Sequence, residues 1–269
     1  MIDLEAYLRR IGFTGRAAIG RDTLRALHRL HPQAIAFENL DPLLGVPVLL
    51  DAAAIEEKLV RAGRGGYCYE HNLLFMHVLK TIGFSVRGLS ARVLSGASGA
   101  TARAHMLLAV DLDGERYVAD VGFGGMTPTA PLKLDFDGEQ ATPHEPCRVL
   151  RSGEEFVLQA KIRQDWQPIY RFDLQEQLLA DYEINNWYKS TSPKSYFTQN
   201  LMAARPVEGR RYALRNGEFV VHHVGGASER RALRTPRELR DTLGGAFGVS
   251  LPATGDLEAL LTRLTAVAA

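Results

Sequence analysis

The chain has 269 residues, of which 46% are hydrophobic and 23% are charged. This composition is typical of folded globular proteins and excludes collagen-like, disordered and disulfide-framework classes. At roughly 150 residues per domain, the length predicts one large domain or two to three small ones. The 32 Lys and Arg residues nearly balance the 31 Asp and Glu residues, giving a formal net charge of +1. We therefore do not expect nucleic acid or anionic lipid to be bound through bulk charge.

The chain contains two cysteines, Cys68 and Cys147, and begins Met1-Ile2-Asp3-Leu4-Glu5 without the basic and apolar segments of a signal peptide. No apolar run approaches the length of roughly 20 residues that spans a membrane. We therefore expect a cytoplasmic protein with no membrane partner. In such a reducing setting a cysteine matters more as a thiol than as half of a disulfide.

Helix signals dominate the N-terminal region. Apolar spacing and capping residues predict three helices, from Asp3 to Gly12, from Asp22 to Pro32 and from Asp51 to Gly63. A fourth helix is predicted to begin near Cys68, after Arg64-Gly65-Gly66-Tyr67, and to end at Gly83. Cys68 is therefore expected near a helix N-terminus.

After Gly83 the pattern changes to short β-rich runs separated by Gly, Pro or Asp-Gly turns, which predicts an antiparallel sheet or small barrel. These runs are Phe84 to Leu94, Ala104 to Leu112, Glu115 to Phe123, Arg148 to Arg151 and Phe156 to Ile162.

The remainder of the chain mixes helices with a hairpin. A helix is expected from Leu174 to Trp187, with Ser192-Pro193 as a connector. Asn216-Gly217 predicts a hairpin turn between strands 210–215 and 218–224. Two more helices are predicted, around Pro236 to Thr242 and from Gly255 to Val267.

Cys68 is a candidate nucleophile because of its predicted position. The partial positive charge and unpaired N–H groups of a helix N-terminus favour a thiolate over a thiol. The alternative is that Cys68 is a small buried hydrophobic residue, as most free cysteines are. A nucleophile also needs a base and a group that orients the base.

A hairpin around Asp113-Gly114 supplies such a pair. With a two-residue turn Leu112 faces Glu115, so that Asp120 faces Leu107 and His105 faces Gly122. His105 and Asp120 then lie on one face of the sheet as diagonal neighbours, roughly 7–8 Å apart. A histidine and an aspartate span that gap, which predicts a Cys68–His105–Asp120 arrangement for nucleophilic catalysis.

Two other interpretations stay open at this point. His105 and Asp120 are also compatible with an isolated histidine in a half-buried strand and an acid near a surface turn. Cys68-x-x-His71 and His144-x-x-Cys147 have the spacing of zinc ligands, although His144 and Cys147 fall in a predicted loop. We expect no metal, and take His28, His31, His77, His222 and His223 as structural or solvated.

The segment from Arg64 to Asn72, His105 in a strand and the run Asp120-Val121-Gly122-Phe123-Gly124-Gly125 together resemble the arylamine N-acetyltransferase family. Phe37-Glu38-Asn39-Leu40 adds to this likeness, which extends over almost the whole chain in order. Ala36 and Ala104 depart from the family pattern, in which a proline and a hydroxyl residue often stand. Neither departure falls on Cys68, His105 or Asp120.

The resemblance implies an α+β fold with a helical domain over 1–83, an antiparallel β-barrel domain over 84–190 and a small α/β lid over 191–269. The core is similar to that of cysteine peptidases and transglutaminases. Cys68 is implied as the nucleophile, His105 as its base and Asp120 as the orienting acid. Phe37, Val93 and Phe123 are implied to line the acceptor pocket, although the two phenylalanines could equally be core residues. Gly124 and Gly125 are implied to approach the cofactor, and Glu38 and Arg64 to form a buried ion pair.

The implied activity is acetyl transfer from acetyl-coenzyme A to arylamines, arylhydrazines or N-hydroxyarylamines through an acetyl-cysteine, in a monomer or homodimer. One alternative is a related amide synthase that uses the same three residues on an aromatic-amine biosynthetic intermediate. A second, from a different class, is a cysteine hydrolase or transglutaminase-like enzyme. A third alternative is a non-enzymatic domain in which the cysteine is incidental.

Overall fold

A computed structural model describes residues 2–96, 99, 101–253 and 256–266. The N-terminal region is helical, as predicted, with a short strand inserted. Its elements are α1 (Leu4–Ile11), α2 (Arg21–Ala34), β1 (Phe37–Glu38), α3 (Leu40–Leu43), α4 (Ala52–Glu56), which continues as a π-helical turn (Glu57–Arg61), and α5 (Cys68–Ile82).

Helix caps in this region follow the sequence signals. Asp3 accepts a hydrogen bond from the Ala6 amide at 2.9 Å, and Asp51 accepts one from the Ala54 amide at 3.0 Å. These bonds satisfy amides that the first helical turn leaves unpaired. Gly83 ends α5 with a φ of 108°, a left-handed conformation that glycine adopts readily.

The predicted bounds of α2 are wrong at both ends. The helix begins at Arg21 with Gly20 as its cap, rather than after an Asp22 cap. It also continues past Pro32 to Ala34, because Pro32 lies in the last turn, where a missing N–H removes only one backbone bond. The Ile35 amide still donates to the His31 carbonyl at 2.8 Å.

The middle of the chain forms a seven-stranded, nearly closed antiparallel barrel, which confirms that prediction. In chain order its strands are β2 (Ser85–Val93), β3 (Arg103–Leu112), β4 (Glu115–Ala119), β5 (Leu132–Lys133), β6 (Cys147–Ser152), β7 (Glu155–Ile162) and β8 (Asp165–Phe172). The spatial order is β5-β4-β3-β2-β8-β7-β6.

Gln140 closes the gap between the two edge strands of the barrel. Its backbone amide and carbonyl pair with Cys147 of β6, at 2.7 and 2.9 Å. Its side chain pairs with the Lys133 amide and carbonyl of β5, at 2.8 and 3.0 Å. A single residue therefore satisfies backbone groups on both edges.

The predicted β3–β4 register is confirmed between Leu112↔Glu115 and Leu108↔Ala119. Asp113 and Gly114 both have positive φ, 52° and 75°, as the predicted two-residue turn requires. The strand itself ends at Ala119, earlier than Phe123. Its continuation leaves the ladder because the next backbone amides donate to helix side chains, as described below.

The C-terminal part contains a five-stranded sheet with the order β1-β9-β10-β11-β12. Its further strands are β9 (Met202–Val207), β10 (Arg210–Arg215), β11 (Glu218–His223) and β12 (Ser228–Ala232). Asn216-Gly217 joins β10 to β11 in the predicted hairpin. β1 pairs with β9, so the N-terminal region contributes a strand to this sheet.

Four helices accompany these strands: α6 (Leu179–Thr191), α7 (Tyr196–Gln199), α8 (Pro236–Gly245) and α9 (Asp256–Ala266). α6 begins five residues later than predicted. The Asp181 carboxylate accepts from the Leu178 amide at 2.8 Å and fixes this start, while the Gln177 amide pairs with the Gly88 carbonyl of β2. The predicted end points Gly255 and Val267 of the last helix lie outside the described residues.

Buried apolar side chains form three clusters: one between the N-terminal helices and β3, one inside the barrel, and one between the second sheet and α8 and α9. Within the described ranges, no helix is long and apolar enough to cross a membrane. The domain boundaries at 83/84 and 190/191 stay a prediction.

Candidate active site

Cys68 is the first residue of α5 and its side chain is buried, with 3% of the residue exposed. The preceding Tyr67 is the N-cap, and its amide donates to the Glu70 carboxylate at 3.0 Å. Because Cys68 is the first residue of the helix, its sulfur lies by the amide-rich, partially positive end of α5. The predicted position of Cys68 at a helix start is therefore observed.

His105 and Asp120 form a direct pair. The Nε2 atom of His105 lies 2.7 Å from Oδ2 of Asp120, and both side chains are almost fully buried. His105 projects from β3 on the barrel side of the sheet, where its ring packs edge-on against Phe123 with ring centroids 5.0 Å apart. The pairing predicted from the hairpin register is present.

The other Asp120 oxygen is held from two directions. Oδ1 accepts from Asn72 Nδ2 and from the Gly122 amide, each at 3.0 Å. The Asp120 amide donates to His28 Nε2 at 3.0 Å, and the Val121 amide donates to Asn72 Oδ1 at 3.2 Å. These bonds draw the backbone off β4 toward α2 and α5, and thereby end the strand at Ala119.

Gly122 allows the barrel and α5 to approach closely. A Cβ atom at this position would lie 3.0 Å from Cα of Cys68 and 2.8 Å from Cβ of His71. Real Cβ atoms are not found so close to backbone and side-chain carbons in packed proteins. Because Gly122 has no side chain, the barrel segment that carries Asp120 can lie close to the start of α5, where Cys68 is.

Two opposing effects set the pKa of Cys68. Burial raises the pKa of Cys68. The charge of Lys189, followed by the hydrogen bond and charge of His105, lowers it by more than burial raises it, so the pKa falls to about 7. Burial lowers the pKa of His105, but the charge and hydrogen bond of Asp120 raise it to about 9. A thiolate–imidazolium pair is therefore favoured between these two values.

Asp120 and Cys147 complete the electrostatic picture. Burial raises the pKa of Asp120, but the charge of His105 and bonds from His105 and Asn72 hold it below its ordinary value. Burial raises the pKa of Cys147 to about 12. Only one of the two free cysteines therefore lies where a thiolate forms near neutral pH.

Comparison with known proteins agrees with this geometry. A family model described as N-acetyltransferase matches residues 4–255. An arylamine N-acetyltransferase of Escherichia coli is 44% identical over 92% of this chain and 89% of its own length. The chain belongs to the arylamine N-acetyltransferase family. It is therefore an enzyme, an acyltransferase.

Two further relatives extend the comparison. A Salmonella typhimurium protein named arylamine N-acetyltransferase / N-hydroxyarylamine O-acetyltransferase is 40% identical over 92% of this chain and 89% of its own. The solved structure of a Mycobacterium marinum arylamine N-acetyltransferase in complex with CoA matches with a TM-score of 0.92. That structure is 42% identical, and the match covers 97% of this chain and 99% of that one.

The predicted substrate residues Phe37, Phe123 and Val93 lie on different segments of the chain. The Phe123 ring packs on His105, and Phe37 lies beside Gly124, where a Cβ would be 3.4 Å from the Phe37 ring. Val93 is half-buried on β2, two residues beyond Ala91, which pairs with His105. Phe123 therefore contacts His105, and Phe37 lies against the neighbouring Gly124; the role of Phe37, Phe123 and Val93 in acceptor binding stays a prediction.

Glu38 and Arg64 form the predicted buried ion pair, at 3.1 Å. They belong to a larger cluster in which Arg64 also pairs with Asp41 at 2.7 Å. Lys58 joins Asp41 to Glu70, at 2.6 Å each. The cluster fixes the chain on both sides of Cys68 because Glu70 also caps the start of α5.

The zinc alternative is not supported by the contacts of its histidines. Both ring nitrogens of His71 are engaged, Nδ1 with His31 Nε2 at 2.9 Å and Nε2 with the Ala36 carbonyl at 3.2 Å. Those of His144 are engaged with Thr129 and with backbone carbonyls. Among the residues that the structure describes, no cluster of His, Cys, Asp and Glu is suited to a metal.

Three residues that shape the site were not singled out from the sequence. Asn72 holds Asp120, Tyr170 packs on His105 with ring centroids 5.2 Å apart, and Lys189 lies 3.8 Å from the Cys68 sulfur. Asn72 could have been found, because it lies one helical turn beyond Cys68 on the same face. Tyr170 and Lys189 come from distant segments and carry no local signal.

Proposed function

We propose that the chain moves an acetyl group from acetyl-coenzyme A to the nitrogen of arylamines, arylhydrazines or N-hydroxyarylamines by a ping-pong mechanism. Cys68 is the nucleophile, His105 its base and Asp120 the orienting acid. The observation that carries this proposal is the buried Cys68, favoured as a thiolate, in one site with a hydrogen-bonded His105–Asp120 pair.

In the first half-reaction the Cys68 thiolate attacks the thioester carbonyl carbon of acetyl-coenzyme A. The carbonyl electrons move to oxygen, and the Cys68 backbone N–H at the start of α5 is positioned to donate to that oxyanion. The intermediate collapses by breaking the carbon–sulfur bond to coenzyme A. The departing thiolate takes the proton from protonated His105, and acetyl-Cys68 remains.

In the second half-reaction the amine nitrogen attacks the acetyl carbon of acetyl-Cys68. Neutral His105 removes a proton from nitrogen, and the carbon–sulfur bond breaks with its electron pair returning to the Cys68 sulfur. The products are the amide and the thiolate–imidazolium pair. Asp120 keeps one His105 tautomer throughout, since its carboxylate accepts from Nε2 and leaves Nδ1 for the reacting atoms.

Aromatic and glycine residues support the choice of substrates. The Phe123 ring on His105 and the Phe37 ring beside Gly124 offer aromatic surface to a flat acceptor. Gly125 has open space where a side chain would stand, which suits a ligand that approaches the backbone. The CoA complex of the Mycobacterium marinum relative agrees with a coenzyme A thioester as donor. The name of the Salmonella typhimurium relative agrees with arylamine and N-hydroxyarylamine acceptors, but for the latter it gives acetyl transfer to oxygen rather than to nitrogen.

We also propose three domains, 1–83, 84–190 and 191–269, of which the last is a lid. With these bounds, Cys68 and the His105–Asp120 pair meet where the first two domains pack together. It also keeps the cytoplasmic location, since a reduced thiol is required. Monomer and homodimer are both compatible with it.

Steady-state kinetics with acetyl-coenzyme A and an aromatic amine test the proposal. Varying both substrates should give parallel double-reciprocal lines, because coenzyme A leaves before the amine enters. Intersecting lines would contradict a ping-pong mechanism. Release of acetate at the same rate with and without amine would favour the cysteine hydrolase, and failure of simple amines would favour the amide synthase.

A further inference from the structure

Lys189 lies in the last turn of α6. Its side chain contacts the Cys68 sulfur and does not belong to the His105–Asp120 pair of the barrel. Its Nζ atom lies 3.8 Å from Sγ, within donating distance of a thiolate. The same ammonium group sits 5.2 Å from the ring centroids of Tyr69 and of Phe197. The two rings flank the cation and favour its position beside the sulfur.

Hydrogen bonds fix the part of α6 that carries Lys189. Ser195 Oγ donates to the Lys189 carbonyl at 2.6 Å. One turn earlier, Asn186 accepts from the Tyr67 hydroxyl and donates to the Val48 carbonyl at 2.8 Å. The helix end is therefore tied to the segment that precedes α5, and the lysine backbone has little freedom to move away from Cys68.

The charges around the sulfur show which group compensates Lys189. The titratable groups around the Cys68 sulfur come from three parts of the fold. The barrel contributes His105, with Asp120 behind it, and α6 contributes Lys189 and Tyr182. The start of α5 contributes Tyr67 and Tyr69. Burial raises the pKa of all three tyrosines, which stay neutral. Within the described part of the chain Lys189 forms no ion pair with a carboxylate, so the thiolate is the anion that it contacts.

We propose that Lys189 is a second cation for the catalytic sulfur, which shares the thiolate charge with His105 and sets the pH at which the nucleophile forms. This inference rests on the proposed role of Cys68 as acyl carrier. The thiol with lysine beside it ionises at lower pH than it would with His105 alone, because an opposite charge within ~4–6 Å favours the ionised form.

Lys189 would act in both half-reactions. In the first it increases the fraction of Cys68 that is ionised before attack. In the second the electron pair of the broken carbon–sulfur bond returns to Cys68, and a thiol of lower pKa leaves faster. The thiolate of lower pKa is also intrinsically a weaker nucleophile, with a Brønsted coefficient of roughly 0.4–0.5. In the first half-reaction the gain is therefore confined to pH values below those at which Cys68 would ionise unaided.

The test is the pH profile of Cys68 alkylation by iodoacetamide, followed by mass spectrometry, in the native chain and in Lys189→Met, Lys189→Gln and Lys189→Arg. We expect the native midpoint near 7, and in the Met and Gln variants a midpoint higher by about 1 pH unit or more. A midpoint one pH unit higher lowers the thiolate fraction at low pH by about tenfold. The more basic thiolate is about threefold more nucleophilic, so the alkylation rate at low pH should fall by about three- to fourfold. At high pH the Met and Gln variants equal or exceed the native rate. Lys189→Arg should keep the native midpoint.

The matched control is Lys194→Met, which removes an exposed cation from the loop after α6 and should leave the profile unchanged. An unshifted midpoint in folded Lys189→Met and Lys189→Gln overturns the inference, as does a loss of rate that is equal at every pH. A rise only in the KM for acetyl-coenzyme A, with no shift in alkylation, would also overturn it. Alkylation needs no acetyl donor, so this result is independent of whether acetyl-Cys68 forms.

Discussion

Asn72 lies one helical turn beyond Cys68 on α5, and its Nδ2 atom donates to Oδ1 of Asp120 at 3.0 Å. One helix thus carries the reactive sulfur and also holds the carboxylate that orients His105. The same amide pairs with the Met106 carbonyl at 2.8 Å and, through its oxygen, with the Val121 amide. Helix and barrel are therefore aligned by a single buried side chain.

Replacing Asn72 with Ala should lower activity and stability together. It leaves the Met106 carbonyl and the Val121 amide buried without this partner, which costs about 1–3 kcal/mol. It also frees Asp120, and we expect at least a ~10-fold loss of kcat/KM from misplacement of His105. Denaturant unfolding and single-turnover acetylation measure the two effects. Asn185→Ala on the solvent side of α6 is the control, and equal effects in both variants would contradict this role of Asn72.

Gly122→Ala should impair the site by separating its two halves. The new Cβ would lie 2.8 Å from Cβ of His71 and 3.0 Å from Cα of Cys68, so α5 and the barrel must move apart. We expect a cost of about 1–3 kcal/mol and reduced Cys68 acetylation. Gly244→Ala in α8 meets no atom within 4 Å and serves as the control. Native acetylation rates in Gly122→Ala would show that the close approach is not needed.

Arg64→Met should destabilise the fold strongly. It leaves Glu38 and Asp41 buried with only Lys58 to balance the cluster of acids, and breaking a buried charge pair costs about 3–5 kcal/mol. The exposed Arg237 pairs with Asp241 at 3.7 Å, and Arg237→Met should change stability by less than ~1 kcal/mol. Guanidinium unfolding of both variants distinguishes the two cases: similar midpoints would mean that the cluster is not structurally important.

The two cysteines should differ sharply in reactivity with pH. The pKa of Cys68 is lowered to about 7, so its thiolate is populated above that pH and its alkylation should rise as pH increases through about 7. The pKa of Cys147 is raised to about 12, so this thiol should stay unmodified across the same range. Iodoacetamide labelling with peptide mapping gives both profiles. Equal labelling of the two cysteines near neutral pH would be the contrary outcome.

The local parts of the fold and site were readable from the sequence. The helix start at Cys68 follows from a glycine-containing segment and apolar spacing, and the β3–β4 register follows from the Asp113-Gly114 turn. Together they predicted which residues pair, because hairpin register is determined within a few residues. The early end of β4 was not predictable, since the groups that draw Asp120 off the ladder, His28 and Asn72, lie far away in the chain.

Packing between distant segments accounts for the other differences. β8 was not predicted although it packs Tyr170 on His105, and its run Asp165–Phe172 is interrupted by charged residues and Pro168. Lys189 is an ordinary helix lysine in the sequence. Its role depends on how α6 docks on the start of α5, and no periodicity or motif within one segment encodes that contact.

Intact mass after mixing the chain with acetyl-coenzyme A in the absence of amine shows whether Cys68 carries the acetyl group. The native chain and Cys147→Ser should each gain one acetyl group, which is lost when an aromatic amine is added. Cys68→Ser, shown to be folded by circular dichroism, should gain none that an amine removes. An amine-sensitive acetyl group on Cys68→Ser, or no acetyl group on the native chain, would mean that Cys68 is not the acetyl carrier.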